Sequence, residues 1–463
     1  MTGLRPSATR RWDFAVGRLP WWRRWTPPQL FVASFALLIA LGTLGFQTLP
    51  GLYTGTPFTW EESLFTATSA VCVTGLVVVD PATRLTLFGQ GFLLLQIQLG
   101  GLGMITFTSL IIVAMGGRLS LRNQSLTGAD GATWVEPRQL VMDVVRFTFA
   151  IELIGAMFLF AIWIPRMGWQ AALWPAIFHS VSAFCNAGFS TFSDSMMGFQ
   201  QSPATLAVIM ALIVAGGLGF LTMHEMDPFQ ATTYRRRMSL QTRLILLTTV
   251  ALILSGWLAF ALLEWNHVLK DLPPTDRLMN ALFLSVTART AGFNSVDYAQ
   301  AADSSNFLTI LLMMIGGSPG STAGGIKTTT FAVLGLLAWS RLRGHETPHL
   351  FGRSLREDNT DRAAGLFVIA FGIVTVGILL LSFTERNTHF GGFLDRMFEA
   401  VSAFNTVGVS TGLSPRLSSA GRAIIIVLMF VGRVGPLSFA AALARPIRAG
   451  ARFRYAYEDV MVG

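Results

Sequence analysis

The sequence predicts an all-α polytopic membrane protein made of four parallel copies of one helical unit. Composition, the lengths of the apolar runs and a fourfold internal repeat each point there. Of 463 residues, 52% are apolar and 13% are charged, against ~25% charge in soluble domains. So few charges cannot coat a globule of this size, which argues against a soluble enzyme, and the apolar content excludes a disordered chain. Cys72 and Cys185 stand far apart in apolar stretches and read as free small hydrophobes rather than a disulfide framework. His345 and His349 are spaced i, i+4 without further ligands and read as a surface pair, not a metal site.

Eight apolar runs approach or exceed the ~20 residues that cross a bilayer: 29–49, 86–116, 141–164, 203–224, 242–263, 306–340, 362–383 and 420–444. Four shorter runs fall between paired spans, at 60–72, 173–185, 277–288 and 393–404. At ~12 residues they are too short to cross and suit half-depth re-entrant helices. The expected organisation is a cytoplasmic N-terminal segment at 1–28, four repeats at 29–116, 117–224, 225–340 and 341–444, and a cytoplasmic tail at 445–463.

Basic residues set the orientation. With the N-terminus inside, cytoplasmic segments hold 23 Lys and Arg against 8 outside, and Arg289, Lys327 and Arg433 remain at membrane depth. This is a positive-inside pattern with both termini cytoplasmic. It also accounts for the net charge of +9 without nucleic acid. Arg10-Arg11 and Trp21-Trp22-Arg23-Arg24 precede the first span as an interfacial anchor; with no apolar run before them they are not a signal peptide.

Each short run ends in a similar string: SAVCVTGL at Gly75, SAFCNAGF at Gly188, VTARTAGF at Gly292 and SAFNTVGV at Gly408. A phenylalanine stands ten residues before the glycine in three copies (Phe65, Phe178, Phe398) and nine before it in the third (Phe283). A second glycine group follows in each next span: Gly100, Gly101 and Gly103; Gly216, Gly217 and Gly219; Gly316 and Gly317; Gly432 and Gly435. The unit is therefore helix, pore loop, helix, and four parallel copies can enclose one pore with pseudo-fourfold symmetry.

Those residue types suit an alkali cation. A dehydrated ion at membrane depth needs oxygens, and main-chain carbonyls supply them without burying a fixed charge. Glycine permits the backbone that points carbonyls at an axis. The candidate filter residues are Val73, Thr74 and Gly75; Asn186, Ala187 and Gly188; Thr290, Ala291 and Gly292; Thr406, Val407 and Gly408. None is acidic, which favours a monovalent over a divalent ion. Glycines can also serve close helix packing, but four matched copies favour a shared lining role.

The run 306–340 is too long for one straight span and is interrupted by Gly316, Gly317, Ser318, Pro319, Gly320, Ser321, Thr322, Ala323, Gly324, Gly325 and Lys327. Ile326 between Gly325 and Lys327, and the lack of a preceding strand, set aside a phosphate-binding loop. A polar loop at this depth must face a water-filled cavity, and we expect it to act as a gate. Arg433 reads as a positive barrier or loop anchor facing the pore, with an ion pair to an acid as the alternative. Lys327 either neutralises loop carbonyls or extends to the cytoplasm, and Arg289 braces the third turn from behind.

These residues resemble the Trk/Ktr/HKT superfamily of potassium transporters, above all in ARTAGFN at 288–294, NTVGVSTG at 405–412, GGSPGSTAGGIKT at 316–328, GRVGP at 432–436 and QLGGLG at 98–103. Eight spans and the tail Tyr457-Glu458-Asp459-Val460-Met461-Val462-Gly463 are most similar to the Ktr membrane-subunit branch. The resemblance implies potassium uptake in a bacterial cell membrane, often sodium-dependent as in a symporter. It further implies a homodimer with one pore per chain above a cytosolic ring of nucleotide-binding regulatory subunits, and no cofactor in this chain beyond the transported ion. Four filter glycines, with no serine among them, favour potassium over sodium. The rival readings are a sodium-coupled carrier of another small solute, which parallel repeats disfavour, and a membrane-embedded enzyme, for which no nucleophile, base or metal cluster is seen in the spans.

Overall fold

The computed structural model describes residues 26–114, 137–226, 238–345, 347–386 and 391–443. The segments expected to be the N-terminal anchor and the cytoplasmic tail fall almost entirely outside these residues. Helices make up most of the described chain.

A first group of helices comprises α1 (Pro27–Thr48), α2 (Trp60–Val71), the single turn α3 (Pro81–Arg84) and α4 (Leu87–Ala114). The second is α5 (Pro137–Met167), α6 (Trp169–Phe184), α7 (Pro203–Leu218) and α8 (Phe220–Met226). The third is α9 (Leu240–Glu264), α10 (Pro274–Thr287), α11 (Asp303–Met313) and α12 (Thr328–Leu342). A two-stranded antiparallel ribbon, β1 (His349–Leu350) and β2 (Arg353–Ser354), leads to α13 (Glu357–Thr384), α14 (Phe393–Phe404), α15 (Ser419–Val434) and α16 (Pro436–Leu443).

The starts of these helices are written locally. Thr59 and Glu62 form a capping box on α2, with Thr59 N donating to Glu62 Oε2 at 2.7 Å and Glu62 N to Thr59 Oγ1 at 3.2 Å. Ser239 and Ser418 cap α9 and α15 through the amides of Thr242 and Gly421. Proline opens α1, α7 and α10, where the missing N–H is harmless.

Within each group the long first helix packs on the short one: α1 on α2, α5 on α6, α9 on α10, α13 on α14. Between groups, the helix after each short one packs against the next short helix, α4 on α6, α7 on α10, α11 on α14 and α15 back on α2. The packing thus returns to its start. The four phenylalanines ahead of the glycine strings, Phe65, Phe178, Phe283 and Phe398, are completely buried, a burial that contributes about 1.5–3 kcal/mol for each ring.

Several expectations need correction. The run 203–224 is not one straight span: it breaks at Gly219, and α7 and α8 meet at 102°. The run 420–444 breaks at Gly435 before Pro436. Both glycines adopt positive φ, 83° and 85°, which ends a right-handed helix, and a following proline cannot rejoin it. Among the described residues, five helices are long and apolar enough to cross a membrane, or six with the bent pair; the broken runs fail that test because their glycines divide them. The break expected within 306–340 is present, between α11 and α12. The short helices α6 and α10 also start earlier than expected, at 169 and 274 rather than 173 and 277.

Candidate functional site

Each short helix ends two or three residues before the first left-handed residue of a turn of alternating handedness. Val73, Asn186, Thr290 and Thr406 have φ of 55°, 59°, 67° and 50°, and Gly75, Gly188, Gly292 and Gly408 have 93°, 68°, 81° and 96°. Four non-glycine residues in the left-handed region at one matched position form a strained conformation repeated by design of the chain.

Hydrogen bonds show where the carbonyls go. The amides of Thr74, Ala187, Ala291 and Val407 donate back to Ser69 O, Ser182 O, Thr287 O and Ser402 O at 2.8, 2.8, 3.1 and 2.9 Å. Gly75 N and Gly408 N donate to Ser69 Oγ and Ser402 Oγ, each at 3.1 Å. In a trans peptide the carbonyl points opposite to its N–H, so the carbonyls of Val73, Asn186, Thr290 and Thr406 face away from their own short helix. The same holds for Thr74 and Val407.

The turns meet one another. A Cβ built on Gly75 would strike the Ala187 carbonyl oxygen, and one on Gly408 the Thr74 oxygen. On Gly188 it would lie 2.9 Å from the Ala291 oxygen and 2.7 Å from Gly292 Cα, and on Gly292 2.6 Å from the Val407 oxygen. The contacts run from the first turn to the second, third and fourth and back to the first. All twelve candidate filter residues are therefore gathered in one place, with no room for a side chain at any of the four glycines. The C-terminal ends of four short helices converge here too, each carrying about half a negative charge.

A hydroxyl that opens or follows the start of each string carries a function its spacing alone does not reveal. Ser182, Thr287 and Ser402 donate to Phe189 O, Phe293 O and Val409 O at 2.8, 2.7 and 2.7 Å. The residue stands four after the phenylalanine in every copy, so the one-residue deletion in the third repeat lies between hydroxyl and glycine.

The second glycine group seats the short helices. A Cβ on Gly100, Gly216 or Gly432 would collide with the carbonyl oxygen of Val71, Phe184 or Phe404, the last residue of α2, α6 or α14. In the third group Gly316 instead packs on Gly324 O, within the polar loop.

That loop is pinned beside the turns. Gly316 N donates to Ile326 O (2.8 Å) and Thr328 N to Gly317 O (3.0 Å), closing its neck. Ser318 N and Thr322 N donate to Gly217 O and Gly216 O at 2.9 and 3.3 Å, and Phe220 N donates to Gly320 O at 3.1 Å. Thr322 Oγ1 donates to Phe184 O at 3.1 Å. Gly324 and Gly325 lie against the side chains of Thr406 and Asn405, beside the fourth turn. Ser321 and Ala323 are buried within the loop, and Pro319 is half-buried on its rim.

Arg433 and Lys327 bond to this loop. Arg433 is wholly buried; its guanidinium donates to Thr322 O through Nη1 and to Gly100 O at 3.0 Å through Nη2. Neither partner is an acid, so the geometry is that of a loop anchor rather than an ion pair. Lys327 Nζ donates to Ala323 O at 2.7 Å, neutralising a loop carbonyl. Arg289 is buried behind the third turn, on the wall of a cavity of about 20 Å³ shared with Val286, Gly217 and Gly317. A larger cavity, of about 290 Å³, opens beside the loop between Pro319, Lys327, Phe404 and Pro436.

The profile of the family described as TrkH, cation transport protein, matches residues 14–450. The chain is 39% identical to the Ktr system potassium uptake protein B of Bacillus subtilis, over 93% of this chain and 96% of that one. It is 38% identical to the protein of the same name from Vibrio alginolyticus, over 90% and 91%. To the potassium/sodium uptake protein NtpJ of Enterococcus hirae it is 36% identical, over 95% and 98%. Among solved structures, the potassium transporter TrkH from Vibrio parahaemolyticus has the same fold, with a TM-score of 0.73 at 20% identity over 94% of this chain and 87% of that one.

Proposed function

The chain belongs to the TrkH family of cation transport proteins, and we propose that it takes up potassium across the cell membrane through a filter of main-chain carbonyls. The observation that carries this reading is the closed circuit of contacts among Gly75, Gly188, Gly292 and Gly408. Carbonyls directed away from four short helices replace the water around an ion, and the negative ends of those helices favour a cation over an anion. The named activity of the relatives, potassium uptake, agrees with that chemistry.

In this reading the chain is four parallel helix–pore-loop–helix repeats around one pore, with both termini in the cytoplasm. Potassium sheds water at the rim, passes the four turns and meets the loop 316–328. The loop bars the path until its bonds to Gly216, Gly217 and Arg433 are exchanged. The cavity beside the loop gives it space to move into. Sodium acts as a competitor or a coupling ion. Relatives are named as components of a Ktr system, which supports work with a partner subunit; in this reading that partner is the cytosolic nucleotide-binding ring implied by the family resemblance, and the chain is a homodimer with one pore per protomer.

The test is uptake by purified protein in proteoliposomes, with potassium and sodium varied separately. Potassium-dependent flux with sodium as a weaker substrate supports the reading; transport of neither ion, from protein that is correctly folded, overturns it.

A further inference from the structure

We propose that His179 and Glu399 are positioning residues that set the ion preference of the filter by tethering its second and fourth turns from behind. The inference rests on the potassium-filter reading and adds to it a reason for selectivity outside the glycine strings.

The two residues occupy one register. Each directly follows the buried phenylalanine of its short helix, Phe178 or Phe398, and each is completely buried. Each reaches a serine two residues past the filter glycine. His179 Nε2 lies 2.9 Å from Ser190 Oγ, and Ser410 Oγ lies 2.9 and 3.1 Å from the two oxygens of Glu399. Both serine oxygens also accept an amide from two residues on, Phe192 N and Gly412 N, each at 2.9 Å.

The donors can be assigned. His179 Nδ1 lies 2.8 Å from Pro175 O, which only accepts, so Nδ1 carries the proton. In the neutral ring Nε2 is then an acceptor, and Ser190 donates to it. Ser410 likewise donates to Glu399, which also receives the hydroxyl of Ser414. A chain of bonds thus runs from the short helix through an acceptor side chain to a serine and on to the outer loop. The His179 ring is held in place by stacking on Phe192, with centroids 4.9 Å apart, and by the edge of Trp163 at 5.4 Å.

The first and third repeats lack the device. Their matching pairs are Thr66 with Val77 and Leu284 with Asn294; Val77 has no hydroxyl and Leu284 no acceptor. Since contacts run 75–188–292–408, the tethered turns are opposite each other across the site. Two fixed turns facing each other hold the carbonyl spacing along one diagonal, and a looser spacing favours potassium less over the smaller sodium ion.

The experiment measures the potassium-to-sodium uptake ratio in proteoliposomes for the full chain, beside size-exclusion profiles for assembly. Ser190→Ala and Ser410→Ala, each removing both the bond to the acceptor side chain and the one from the amide two residues on, lower the ratio by about 3–10-fold. Glu399→Gln, which retains an acceptor oxygen, stays within ~2-fold of the unaltered protein, and Glu399→Leu behaves like Ser410→Ala. Val77→Ala, in an untethered turn, keeps the original ratio. Where an alanine variant does not assemble, Ser190→Cys and Ser410→Cys, with a weaker donor, are read the same way. An unchanged ratio in the serine variants, whatever their flux, overturns the tether. Failure of the unaltered protein to discriminate is a separate result: it defeats the potassium-filter reading itself, and the tether with it.

Discussion

Gly408 and Gly75 leave no space for a side chain, because each Cβ would strike a main-chain oxygen of the neighbouring turn. Gly75→Ser must also hold φ near 93°, which costs a residue with a Cβ about 1–3 kcal/mol. The added strain shifts the Ala187 carbonyl, so the potassium-to-sodium uptake ratio falls by ~10-fold or more. A ratio unchanged in Gly75→Ser removes that residue from the filter. Arg433→Ala strips a charged donor from Thr322 O and Gly100 O, a loss of about 1.5–3 kcal/mol. The closed loop then loses ~10–100-fold in population, and potassium flux rises; Arg433→Lys, with one point of attachment, is intermediate. Flux that falls in well-folded Arg433→Ala contradicts its role as a loop anchor. At this scale the glycines were legible in the sequence because they recur at matched positions. The partners of His179 and Glu399 were not, since both bonds span eleven residues and cross a reversal of the chain that no periodicity marks.

The loop 316–328 is the element whose nature was plainest from composition: its glycines and proline cannot continue a helix. Its docking was not, because the acceptors Gly216, Gly217 and Phe184 belong to another repeat. Deleting residues 318–325 removes the bonds to Gly216, Gly217 and Arg433 together while leaving α11 and α12 whole. Potassium uptake by that variant rises several-fold over the full chain at equal protein; unchanged or lower uptake contradicts a gating role. The ends at Gly219 and Gly435 show the limit of reading spans from apolarity alone. A run of apolar residues reports what the side chains dissolve in, whereas a break depends on one backbone angle. The Gly435-Pro436 pair carried that signal in GRVGP, and Gly219 carried only a weaker one.

Over the whole molecule, the long first helices turn most of their surface outward. Only 28% of the apolar window of α5 and of α9 is buried, and 22% of that of α13; Leu262, Phe383 and Val368 are mostly exposed. Such a surface is stable in hydrocarbon and not in water. Phe371→Arg, on the exposed face of α13, therefore disfavours insertion by about 2.5–3.5 kcal/mol and lowers the yield of membrane-inserted protein; an unchanged yield places α13 away from lipid. Composition made this level legible, and the charge bias supports the orientation: single cysteines at the exposed positions 353 and 354 label from the cytoplasmic side and those at 415 and 416 from the outside, and the reverse pattern inverts the chain. What composition could not convey is that four distant strings close on each other. The most direct test of that closure is anomalous X-ray diffraction from crystals grown in rubidium. The account predicts a rubidium peak between the carbonyl oxygens of Thr74, Ala187, Ala291 and Val407; ordered rubidium only elsewhere, with that position empty, would contradict it.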